Sequence, residues 1–192
     1  MEAFLIATGI VTLAEIGDKT QLLALLLAAR FRKPVPIIAG VFVATLVNHA
    51  LASAFGTLIS TWLTPGVLKW VLGISLLLMS AWMLIPDRLD DDGGLPQKRL
   101  GVFMATLVTF FLAEMGDKTQ VATVALAARF QDMMAVTVGT TLGMMLANVP
   151  AVLMGDRLAH RLPVGLLHGL AALLFALLGI GSLLGLTDGL MP

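Results

Sequence analysis

An all-α integral membrane fold, six transmembrane helices arranged as two inverted three-helix repeats, is predicted by three features of this chain. Of its 192 residues 58% are hydrophobic and only 12% charged, about half the charge fraction of a soluble domain. Six apolar stretches, at roughly 3–29, 35–60, 66–86, 100–128, 133–156 and 163–187, reach the ~20 residues that a helix needs to cross the hydrocarbon. Residues 14–31 recur at 113–130, an offset of 99, with 12 of 18 positions identical and a shared Ala-Ala-Arg-Phe ending. Each copy carries three spans, an odd number, so the second enters the membrane the opposite way round.

The first stretch opens on Met1-Glu2-Ala3-Phe4-Leu5-Ile6, with no basic segment and an apolar run longer than a signal peptide, and reads as a retained span. Arg30-Phe31-Arg32-Lys33-Pro34 ends it, and Thr61-Trp62-Leu63-Thr64-Pro65 ends the second. The third runs into the polar stretch Asp87–Arg99, which contains Asp90-Asp91-Asp92-Gly93-Gly94 and reads as a solvated linker. The organisation is therefore a first repeat at 1–86, an acidic linker at 87–99 and a second repeat at 100–192. Gln131-Asp132 separates spans four and five, and Arg157–Pro163 separates five and six. In spans two and five, Gly40-xxx-Ala44 aligns with Gly139-xxx-Gly143, a spacing that lets helix backbones approach closely in lipid. Trp62, Trp70 and Trp82 fall near span ends, where indole rings anchor at the interface. The eleven methionines show no regular spacing and read as packing residues.

Basic residues set the orientation. Arg30, Arg32, Lys33, Arg88, Lys98, Arg99, Arg157 and Arg161 fall in loops on one side, against Lys69 and Arg129 on the other. The positive-inside rule puts the linker in the cytoplasm and both termini on the non-cytoplasmic side. Without cysteine there is no disulfide framework, thiolate metal site or cysteine nucleophile. A net charge of zero argues against nucleic acid and against a polybasic lipid anchor.

The repeated segment carries the chemistry. Glu15-Ile16-Gly17-Asp18-Lys19-Thr20-Gln21 and Glu114-Met115-Gly116-Asp117-Lys118-Thr119-Gln120 lie inside apolar spans, near mid-bilayer. An ionisable group at that depth costs ~3 kcal/mol or more and marks a functional site by default. On a regular helix Glu15, Asp18 and Lys19 share an arc of about 100°, as do Glu114, Asp117 and Lys118. Two such faces meeting across a pseudo-twofold axis gather four carboxylates and two ammonium groups, a formal charge of −2 that suits one divalent cation. Oxygen ligands select Mg²⁺, Ca²⁺ or Mn²⁺, whereas copper and zinc sites draw on cysteine and histidine.

Thr20 and Thr119 point away from the acids on a regular helix. Either they bond back to a carbonyl one turn earlier, or Gly17 and Gly116 let the helix unwind and redirect them. Gln21 and Gln120 border the acidic face. Asn48 and Asn148 are mid-membrane amides that need a partner or a wet cavity. His49 aligns at the offset with Asn148, and its plainer reading is a packed, hydrogen-bonded histidine. A purely structural account, with Glu15–Lys19 and Glu114–Lys118 neutralising each other along one helix, leaves Asp18 and Asp117 unexplained.

Glu-x-Gly-Asp-Lys-Thr, once in the first helix of each half, resembles the signature of the Gdt family of membrane cation/proton exchangers, whose bacterial members include manganese exporters. The resemblance covers essentially the full chain, and neither copy departs from the signature. It implies a cation site at Glu15, Asp18, Glu114 and Asp117, with Thr20 and Thr119 as accompanying hydroxyls and Lys19 and Lys118 as basic positions. The implied activity is export of Mn²⁺, or of Ca²⁺, in exchange for protons, in a bacterial inner membrane, by a protein that is not an enzyme. No resident cofactor is expected; the partners are the bilayer and divalent cations, and a homo-oligomer is compatible. A lipid-pyrophosphate phosphatase is the first competing reading, but it needs arginines beside the acids, and here the arginines sit at helix ends. An amino-acid exporter of similar layout is the second, and it does not explain two acids in each repeat.

Overall fold

A computed structural model describes residues 1–85, 101–154 and 164–185. The acidic linker with Asp90-Asp91-Asp92, and the basic residues Arg88, Lys98, Arg99, Arg157 and Arg161 used for orientation, lie outside the described residues. Among the described residues the chain is all helix: α1 (Glu2–Glu15), α2 (Lys19–Phe31), α3 (Pro34–Trp62), α4 (Pro65–Met83), α5 (Val102–Glu114), α6 (Lys118–Phe130), α7 (Met133–Met154) and α8 (Val164–Leu183).

Four of these are long and apolar enough to cross a bilayer singly: α3, α4, α7 and, from Gly165, α8. Pro34 and Pro65 open α3 and α4, where a proline's missing N–H is no loss. The first and fourth stretches are each split in two, the unwinding at Gly17 and Gly116 that the sequence offered as the alternative to a regular helix. α1 and α2 hold 14 and 13 residues, α5 and α6 hold 13 each, and none of the four is long enough to cross alone. The regular-helix arc read from sequence is therefore corrected: the motifs sit at helix breaks.

The cause is local. Gly17 and Gly116 adopt φ of +85° and +76°, a region open to glycine at little cost. The next residue, Asp18 or Asp117, is extended, and its carboxylate accepts a hydrogen bond from the N–H of Lys19 (2.9 Å) or Lys118 (2.8 Å), capping a new helix. The far ends also match. Arg32 and Gln131, both left-handed, return their N–H groups to Ala28 and Ala127 at 2.9 Å.

The halves interlock by exchanging partners. α1 packs on α7 and α5 on α3; α2 also packs on α7 and α6 on α3; α4 packs on α8. Small residues permit the crossings. A Cβ on Gly139 would stand 2.7 Å from the Phe4 carbonyl of α1, and one on Gly40 would stand 2.9 Å from the Phe103 carbonyl of α5. Those two contacts are equivalent at the offset of 99. Outward-facing apolar side chains such as Leu5, Leu51, Leu78 and Leu177 are exposed, as a lipid-facing surface requires. Helix hydroxyls bond their own backbone, Thr8 to Phe4, Thr12 to Thr8 and Thr109 to Ala105, so no polar group is left to the lipid there.

Candidate metal centre at the two helix breaks

The four motif acids are buried: Glu15 and Glu114 at 0% exposure, Asp18 at 1% and Asp117 at 2%. They are brought together as well as hidden, since Asp18, Asp117 and Glu114 all lie within electrostatic range of Glu15. Burying that much like charge is unfavourable unless opposite charge or donors compensate. Each half supplies part of the compensation to the other.

Glu15 Oε1 accepts from Asn148 Nδ2 of α7 at 3.1 Å and from the Thr20 hydroxyl across the break. Asn148 Nδ2 also reaches the Met144 carbonyl at 3.1 Å. Unwinding at Gly17 thus redirects Thr20 onto its own motif's glutamate. Thr119 is buried, and its hydroxyl makes no hydrogen bond.

The glutamines fasten each break to the opposite half. Gln21 Oε1 accepts from Gly17 N–H (2.8 Å), while its Nε2 donates to the Ala147 carbonyl of α7 (3.0 Å). Gln120 Oε1 accepts from Gly116 N–H (2.7 Å), while its Nε2 donates to Asn48 Oδ1 of α3 (2.5 Å). One amide side chain therefore satisfies a backbone donor exposed by the break and ties it to the facing helix.

Both lysines reach beyond their own helix. Lys19 Nζ lies 3.4 Å from Asp117 Oδ1, an ion pair between the two motifs rather than along one helix. Lys118, at 1% exposure, donates from Nζ to the Ile85 carbonyl just beyond α4 at 2.6 Å.

His49 faces the second motif. It is fully buried on α3, and its Nε2 stands 3.2 Å from Glu114 Oε1. Its counterpart Asn148 occupies the same relation to Glu15. The offset-99 alignment of those two positions was the available signal.

Among the described residues no three carboxylate or imidazole groups converge on one point in this arrangement. The acids stand as neighbours without sharing one centre. Glu15 Oε2, Glu114 Oε2 and Asn148 Oδ1 make no hydrogen bond.

Comparison with known proteins gives a concordant result. The family model described as divalent cation/proton antiporter GDT1 matches residues 3–91 and again 102–189. A Vibrio cholerae protein named "Putative manganese exporter" is 51% identical over 183 residues, covering 95% of this chain and 90% of that protein. GDT1-like protein 4 of Oryza sativa subsp. indica is 28% identical over 200 residues, 91% of this chain and 70% of that protein. A GDT1-like protein of Synechocystis sp. is 28% identical over 197 residues, 92% and 95% of the two chains. No solved structure matches this chain.

Proposed function

This chain belongs to the GDT1 family of divalent cation/proton antiporters, and from that premise we propose that it exports Mn²⁺, or less favourably Ca²⁺, from the cytoplasm in exchange for protons. As a member of a transporter family it is not an enzyme, which removes the phosphatase reading. The observation that carries the proposal is the pair of capped helix breaks, which hold Glu15, Asp18, Glu114 and Asp117 buried within range of one another. Helix breaks at membrane depth are tolerated where they line a transport site.

In this reading α1–α2 and α5–α6 each cross the bilayer as one discontinuous span, giving six spans in two inverted repeats, 1–86 and 100–192, joined by the linker 87–99. The double match of the family model and the reciprocal packing of α1 on α7 and α5 on α3 support that division. The excess of basic residues on the linker side supports a cytoplasmic linker with both termini outside. The relationship to a Vibrio cholerae protein supports a bacterial inner membrane. The protein works with the bilayer and its cation, without a resident cofactor or nucleic acid, and a homo-oligomer is compatible with the lipid-facing surface.

Exchange follows from electrostatics. Four clustered carboxylates repel one another, and the two lysines leave a formal −2. Either protons or a divalent cation can supply the missing positive charge, so the two compete for the same oxygens. A cation entering from the cytoplasm displaces protons; once the halves rock outward, returning protons expel it. Thr20, Thr119, Gln21, Gln120, Asn48 and Asn148 hold the breaks and offer further oxygen atoms.

The test is ion uptake into inverted membrane vesicles, comparing Mn²⁺, Ca²⁺ and Mg²⁺ with and without a pH gradient. Accumulation of Mn²⁺ that collapses when the gradient is dissipated is expected. Uptake indifferent to the gradient refutes exchange, and uptake of none of the three refutes the assignment.

A further inference from the structure

The two motifs are the same, but the side chains facing them are not. At the equivalent position on the opposing long helix, Glu15 meets the amide of Asn148 and Glu114 meets the imidazole of His49. We propose that His49 is a direct nitrogen ligand to the transported cation, paired with Glu114, and that this pair selects transition-metal divalent ions over Ca²⁺ and Mg²⁺. The inference rests on the cation-transport reading and adds to it the residue that sets specificity.

Three observations carry it. Both partners are wholly buried, so neither is solvated. Beyond their mutual contact, Nε2 to Oε1 at 3.2 Å, the remaining atoms Nδ1 of His49 and Oε2 of Glu114 make no hydrogen bond. Buried polar atoms left in that condition call for an explanation such as a missing ion. The spacing, that of an ion pair as the side chains stand, also matches two ligands sharing a metal. Metal–ligand bonds of about 2.1–2.3 Å at right angles put two adjacent ligand atoms roughly 3.0–3.3 Å apart.

The chemistry of the pair then decides the cation. Ca²⁺ and Mg²⁺ take oxygen ligands, and an imidazole nitrogen in the first coordination sphere adds little for them. Imidazole binds first-row transition ions well. The Glu15 side offers only oxygens, its own carboxylate with the amide Oδ1 of Asn148, which accept either class of ion. Discrimination therefore falls to the Glu114 side, where His49 stands. A site ending in carboxylates and amides on both sides would hold Ca²⁺ and Mn²⁺ more evenly.

The experiment uses the full chain, purified in detergent, labelled with ¹⁵N-histidine and loaded with Mn²⁺ alone. Pulsed electron paramagnetic resonance of bound Mn²⁺ should show coupling to one imidazole nitrogen, which changes isotope with the label. His49→Asn, which installs the residue of the other half, should still bind Mn²⁺ but lose that coupling. Its Mn²⁺/Ca²⁺ affinity ratio should fall roughly tenfold. Should His49→Asn fail to fold, the H160N/H168N variant leaves His49 as the sole imidazole of three, and the nitrogen coupling should persist there. Bound Mn²⁺ with no nitrogen coupling, or a His49→Asn ratio equal to that of the unmodified protein, overturns the ligand assignment while leaving cation transport standing. No Mn²⁺ binding by the unmodified protein overturns both.

Discussion

Replacing Gly116 with alanine asks whether the broken helix is what assembles the site. Gly116 sits at φ +76°, and a Cβ added there meets nothing within 4 Å, so the change acts on backbone preference alone. A left-handed residue other than glycine costs about 1–2 kcal/mol, and alanine favours a continuous helix over glycine by roughly 1 kcal/mol. The swing toward a straightened α5–α6 is thus about 2–3 kcal/mol by those two effects together. Two local bonds oppose it, the Asp117 cap on Lys118 N–H and the Gln120 bond to Gly116 N–H. Each contributes about 1 kcal/mol. The opposing sums nearly cancel, so the broken conformer should fall from near-complete to a minority share. Apparent affinity drops by the share lost, and the Kd for Mn²⁺ should rise roughly 2- to 6-fold. Calorimetric titration of the purified protein measures this directly, with Gly17→Ala (φ +85°) as the companion variant. Gly9→Ala, in mid-helix with open space around it, is the neutral control. Unchanged Kd values in both motif variants would refute the reasoning and assign the break to tertiary packing instead.

Glu15→Gln, Asp18→Asn, Glu114→Gln and Asp117→Asn should each abolish export, because each removes a cation-binding oxygen charge; near-normal manganese tolerance in cells carrying any one of them contradicts the assignment. Cation affinity should fall from about pH 8.5 to about pH 5.5, since carboxylates that gain a proton lose the ion. Binding should also release protons into weakly buffered solution, and pH-independent binding without release rules out exchange of this kind. Gly139→Ala should lower the melting temperature in detergent, because its Cβ would stand 2.7 Å from the Phe4 carbonyl and must force α1 and α7 apart at a cost of about 1–3 kcal/mol. Gly169→Ala, with nothing within 4 Å, should leave the melting temperature where it is.

The membrane class and the burial of paired acids were legible because they are written in composition and in an 18-residue segment that recurs with 12 identities. The helix break was harder to read. Glu15, Asp18 and Lys19 keep a helical spacing of three and four, so the periodic pattern runs through the motif without interruption. Only the succession of glycine then aspartate signals the stop, one residue supplying a left-handed turn and the next capping a new helix. A continuous helix pairs Lys19 with Glu15, whereas the break delivers it to Asp117. His49 posed a different difficulty. It lies 65 positions from Glu114, and nothing in its neighbourhood, Val47-Asn48-His49-Ala50, announces a ligand. The repeat alone relates it to Asn148, and through Asn148 to a glutamate. Where a motif is duplicated, its identical residues specify the chemistry common to both halves. What one half does differently has to be sought in the unlike residues that the same geometry sets against it.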